Sequence, residues 1–128
     1  MESDARLLDT LLRQEETLQF ERFTNETAYE LGMRMVEAAR VEGKAVTIDI
    51  RRNGQQLFHV ALAGTSADND AWIQRKNRVV NRFGHSSFYI GRRYASRGTN
   101  IHESALLDET RYAPHGGAFP ILIRDVGV

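Results

Sequence analysis

The sequence predicts an α+β domain, and three observations carry that prediction. Apolar residues recur at helical spacing in several separate stretches, an alternating run occupies the middle of the chain, and an Asn-Gly pair divides that run in two. The elements then fall in the order α-β-α-β-β-α-α-β, with an antiparallel hairpin at the centre. That order suits a sheet of about four strands with helices packed on it. At 128 residues the chain is long enough for one domain, residues 1–128, around a single core.

Leu7, Leu8, Leu11 and Leu12 repeat at helical spacing behind Ser3, a candidate N-cap, and this first helix is expected to end near Glu15 or Glu16. Thr17 to Glu21 alternates, with Leu18 and Phe20 on one side, and reads as a short strand. Thr24 or Asn25 caps a second helix whose apolar face is Ala28, Leu31, Met35 and Ala39, and Gly43 stands where a left-handed C-cap is wanted. Val46, Ile48 and Ile50 then alternate with Thr47, Asp49 and Arg51 up to Asn53-Gly54, a type I′ turn. A regular two-residue hairpin sets Ile50 opposite Leu57, Asp49 opposite Phe58 and Ile48 opposite His59. His59 so placed reads as a histidine satisfied within the core. Asp68, Asn69 or Asp70 can cap the third helix, where Trp72, Lys76, Val79, Val80 and Phe83 share one face and Arg75, Arg78 and Arg82 another. Gly84 ends that helix, Ser86 or Ser87 starts a short one through Arg93, and Thr99 to Arg111 reads as loop or a single turn. Pro114 to Pro120 is turn-rich and leads to a last strand, Ile121 to Arg124.

Charge is segregated along this neutral chain. Ala71 to His102 holds seven basic residues and no acid, while acids outnumber bases on either side. A local positive field predicts an anionic visitor: a carboxylate, a phosphate or an acidic protein face. Cysteine is absent, which excludes disulfides and thiolate metal sites and is compatible with a reducing cytoplasm. The first ten residues lack the basic-then-apolar pattern of a secretion signal, and no apolar run reaches membrane-spanning length, so the expected setting is cytoplasmic with no membrane partner. Nucleic acid is disfavoured, because the domain is not basic overall and has no recognised binding motif.

Within the basic stretch, Arg75 offers a planar fork and Lys76 a point charge for an anion, and Trp72, one turn earlier, could stack on a flat ligand. The bland readings are a solvated helix face for the cations and a core position for the tryptophan. His115 precedes Gly116 and Gly117, which let backbone N–H groups approach an anion closely; the imidazole could move a proton or ligate iron. The bland reading there is a turn with a surface histidine. No two histidines have the i, i+4 spacing of a helical metal site, so no metal site is expected. Neither a serine-histidine-aspartate order, a phosphate loop nor a dinucleotide fingerprint can be assembled, so no catalytic residue is named.

Phe23-Thr24-Asn25 before a helix, Leu57-Phe58-His59, Trp72 with Arg75-Lys76, Phe83-Gly84, Ser86-Ser87 and His115-Gly116-Gly117-Ala118-Phe119-Pro120 together resemble the haem-degrading-domain family, which includes GlcG-like and HbpS-like proteins. The likeness spans nearly the whole chain and is nearest to the cytoplasmic branch of that family. It implies a profilin-like α/β/α domain with a mainly antiparallel sheet, assembled as a homo-oligomer, a dimer or larger ring. It also adds Phe119 to the candidate ligand-binding set of Trp72, Arg75, Lys76, His115, Gly116 and Gly117. Some relatives bind haem or corrinoid or degrade haem, so the resemblance implies an anionic small molecule, with haem as one candidate cofactor and catalysis left open. Family members continue past the final Gly-Val region into a further strand and helix, and this chain is expected to lack them. The competing reading is a non-catalytic assembly or adaptor protein whose basic strip docks acidic protein surface.

Overall fold

A computed structural model describes residues 2–128, which form two compact units: one made of residues up to Phe20 together with Trp72–Val128, the other of Glu21–Ala71. The class is α+β, with helices and an antiparallel two-stranded sheet among the described residues.

After a first helix, α1 (Glu2–Thr17), the Glu21–Ala71 unit holds α2 (Asn25–Val41) and strands β1 (Thr47–Arg52) and β2 (Gln55–Ala61). Thr24 caps α2 through a reciprocal pair: its hydroxyl accepts from the Thr27 N–H, and the Thr27 hydroxyl accepts from the Thr24 N–H. At the other end Gly43 adopts φ 66°, and the Lys44 N–H reaches back to the Ala39 carbonyl, a Schellman closure. The buried face of α2 is Ala28, Gly32, Val36 and Ala39, whereas Met35 is exposed. Gly32 takes the place expected of a larger residue because the Phe58 ring lies against it, only 2.5 Å from where a Cβ would stand. Phe23, Ile48, Ile50 and Phe58 complete this core. Arg52 ties the hairpin end to the start of α2 by donating to the Phe23 carbonyl and the Asn25 side chain.

The hairpin turns on Asn53 (φ 51°) and Gly54 (φ 81°), as the sequence requires, but its register departs from a regular ladder after one further rung. Arg52 pairs with Gln55 and Arg51 with Gln56; a β-bulge then leaves Leu57 without a partner, so Ile50 faces Phe58, Asp49 faces His59 and Ile48 faces Val60. His59 is therefore exposed opposite an aspartate, not packed over Ile48 in the core.

The other unit begins with α1 (Glu2–Thr17) and contains most of α3 (Ala67–Phe83), then α4 (Ser87–Ala95) and α5 (Ile101–Ser104). Ser66 starts α3: its hydroxyl accepts from the Asp68 N–H while Asn69 takes the Ser66 N–H, displacing the expected caps one turn upstream. Ser86 caps α4 through the Tyr89 N–H, and Asn100 caps α5 through the amides of His102 and Glu103. Val79, Tyr89, Ile90 and Ile101 form the core, with Leu8, Leu11 and Leu12 of α1 packed against it.

Two expected strands are each reduced to a single bridge. Helix α1 runs on through Thr17, its last turn anchored by the buried Glu15 carboxylate, so only Phe20 is left to pair, in parallel, with Ile123. Ile123 in turn closes a tight turn with Gly127 rather than extending a strand.

Candidate anion site on the third helix

Helix α3 presents Trp72, Arg75 and Lys76 on adjoining positions, and the segment after α5 returns His115, Gly116 and Gly117 to them. Trp72 is a surface residue, 38 % exposed, so its apolar spacing did not place it in the core. The Arg75 guanidinium carbon stands 4.3 Å from the centre of the Trp72 ring, a cation–π contact, and the Lys76 ammonium stands 5.9 Å from it. The His115 ring lies 6.3 Å from the Trp72 ring, tilted by 58°. Lys76 Nζ also lies against Gly117, 2.9 Å from the point a Cβ there would occupy. Gly117 has φ 133°, so glycine is needed on two counts, conformation and closeness of approach.

Three features hold this geometry. Arg75 donates to the Glu109 carbonyl and Arg78 to the Arg111 carbonyl at 3.1 Å, so two cations of the basic stripe fasten one short loop to α3. Asp108 folds that loop by accepting from the Thr110 N–H and hydroxyl at 2.8 Å each, and these bonds hold its carboxyl below the ordinary aspartate value. On the far side, Ser87 and Ala118 exchange hydrogen bonds, the Ala118 N–H donating to the Ser87 hydroxyl at 3.1 Å, which fixes the Gly116–Gly117 turn close to Phe88.

Several donors are left over. The Arg75 Nε is buried with no hydrogen-bond partner, Lys76 has no acidic partner, and His115 makes no hydrogen bond among the described residues. Of these, half-buried Lys76 and exposed His115 are within reach of solvent, and beside an aromatic ring they can bind a carboxylate or phosphate. Phe119 is exposed beyond the turn and takes no part in the ring contacts of Trp72. No group of three or more His, Cys, Asp or Glu among the described residues is placed to hold a metal ion. Among the described residues, no helix is long and apolar enough to cross a membrane.

Two polar clusters escaped sequence reasoning. Glu15, buried on α1, accepts from the Ser86 N–H at 3.2 Å and contacts His85 Nδ1 at 2.7 Å; its carboxylate thus serves the start of α4. No sequence signal links residues this far apart. The second joins Asp49, His59 and Asp70, and it became possible only through the bulge at Leu57, which brings Asp49 opposite His59.

Comparison with known proteins agrees with the resemblance read from the motifs. A family model described as haem degrading protein HbpS-like matches residues 23–128, a stretch running through both units. A UPF0303 protein of Streptomyces coelicolor is 52% identical over 118 residues, covering 92% of this chain and 75% of the relative. A UPF0303 protein of Psychromonas ingrahamii is 40% identical over 121 residues, covering 94% of this chain and 76% of the relative. Among solved structures, the crystal structure of the Ybr137w protein superposes with a TM-score of 0.85 at 37% identity, over 91% of this chain and 69% of that one. With α+β class, motif order and family model in agreement, the chain belongs to the HbpS-like haem-degrading protein family.

Proposed function

We propose that this protein binds a small anionic ligand at Trp72, Arg75, Lys76, His115, Gly116 and Gly117, with Phe119 at the margin. The observation that carries this reading is Lys76 Nζ, held against Gly117 with no acidic partner among the described residues. Arg75 and Arg78 spend donors on backbone carbonyls, whereas the Lys76 ammonium, between an aromatic ring and a bare glycine, keeps its charge for a visiting anion.

Haem is one such visitor, and the residues fit its polar edge. Lys76 and the Arg75 guanidinium would supply positive charge to the propionates, and the exposed His115 imidazole would be available to the iron. Bound haem supplies redox and oxygen chemistry; the chain itself supplies charge, orientation and one flanking aromatic surface. The cysteine-free sequence suits a cytoplasmic location, and the exposed Phe88, Phe119 and Trp72 suit association with further copies of the chain.

Titration with haemin and, separately, with inorganic phosphate tests the reading. Haem binding predicts a Soret shift that is lost in His115→Ala and weakened in Lys76→Ala. Phosphate binding without a Soret shift narrows the ligand to compact anions. Failure of both titrations rejects the site and favours the adaptor reading, in which the basic strip meets acidic protein in a salt-sensitive contact.

A further inference from the structure

His59 lies between two carboxylates. Its Nδ1 stands 3.1 Å from Asp49 on β1, and its Nε2 stands 3.0 Å from Asp70 in the first turn of α3. The two aspartates differ sharply in exposure: the Asp49 side chain is 2% exposed and that of Asp70 41%. Asp49 also accepts from Gln56 at 2.8 Å and from Arg51 at 2.9 Å. Burial works to raise the Asp49 carboxyl, but its bonds from Gln56, His59 and Arg51 outweigh that and hold it below the ordinary value. Asp49 is therefore ionised across the neutral range. Helix α2 covers the opposite face of β2, with Gly32 on Phe58, and none of its charged groups is paired with His59 among the described residues. The charged groups around the ring are Asp49 and Arg51 from β1 and Asp70 from α3. Opposed ring nitrogens cannot direct both carboxylates at one ion, so the cluster is no metal site.

We propose that Asp49, His59 and Asp70 form a proton-operated latch that fastens the first turn of α3 to the β1–β2 hairpin and releases it as pH rises. An imidazolium donates from both nitrogens and satisfies both aspartates together; a neutral imidazole has one N–H. That remaining proton belongs on Nδ1, because the buried Asp49 cannot replace a lost N–H with water, whereas half-exposed Asp70 can hydrate. Deprotonation then turns a lone pair of Nε2 toward the Asp70 carboxylate, and this is the contact that opens. Trp72 follows Asp70 by two residues on the same helix.

The test is amide hydrogen exchange across Ala71–Arg75 in the full chain, corrected for the intrinsic pH dependence of exchange. Wild type is expected to protect these amides roughly fivefold better at about pH 6 than at about pH 8. Asp70→Asn, a substitution at a half-exposed position, should flatten that dependence, and ring nitrogen shifts of His59 should report both nitrogens protonated at the lower pH. His59→Gln provides a second flattened variant. Equal protection at the two pH values in wild type, or an undiminished dependence in Asp70→Asn, overturns the latch.

Discussion

Lys76 Nζ rests against Gly117, so close that a methyl group on Gly117 would stand 2.9 Å from the ammonium. Gly117→Ala should therefore push the Lys76 tip away and also strain a backbone held at φ 133°. The flexible lysine end can yield, so the stability cost should be about 1–2 kcal/mol, chiefly from backbone strain. Phosphate affinity should fall by roughly tenfold, or about 1.4 kcal/mol. Calorimetric titration beside a thermal melt separates the two effects; undiminished affinity would remove Lys76 from the site.

A second close approach has a different character. A Cβ on Gly91 would overlap the Pro114 carbonyl oxygen, which is backbone and cannot swing aside. Gly91→Ala should force α4 and the segment before His115 apart, costing about 3 kcal/mol or more in urea unfolding. A variant as stable as wild type would contradict the packing described.

Arg75→Lys keeps the charge but loses the planar fork that covers Trp72 and reaches the Glu109 carbonyl. Stability should drop by roughly 1–2 kcal/mol, with faster amide exchange in the 108–112 loop. Unchanged exchange there would show that Arg78 alone fastens the loop.

Acid should weaken the hairpin through Asp49. Its carboxyl is held below the ordinary aspartate value, so its contribution is present above that ordinary value and disappears as pH falls through the lower folded one. Asp49→Asn should be less stable than wild type by about 1–3 kcal/mol near neutrality, the gap closing towards pH 3. Denaturant midpoints across that range would expose a constant gap, which would rule out ionisation of Asp49 as its source.

Local chemistry was legible where one short stretch decides the structure. Thr24 as cap, Gly43 after the second helix and the Asn53-Gly54 turn all stand where the residues put them, because each depends only on near neighbours. The hairpin register failed one rung later, since an unpaired Leu57 relieves nothing visible in sequence and answers to packing of Phe58 on Gly32. That shift alone moves His59 from the core position a regular ladder gives it to a place opposite Asp49. Trp72, Arg75, Lys76 and His115 form one candidate set in the sequence, and Arg75, Lys76 and His115 each stand beside the Trp72 ring. What spacing could not foresee is the diversion of Arg75 and Arg78 to backbone carbonyls, because a carbonyl is present at every residue and advertises nothing.

Those two arginine clamps bear on protein engineering. Glu109 to Arg111 lies on the surface and would tempt anyone choosing where to splice an epitope or a fluorophore, yet its carbonyls serve as anchorage for the third helix.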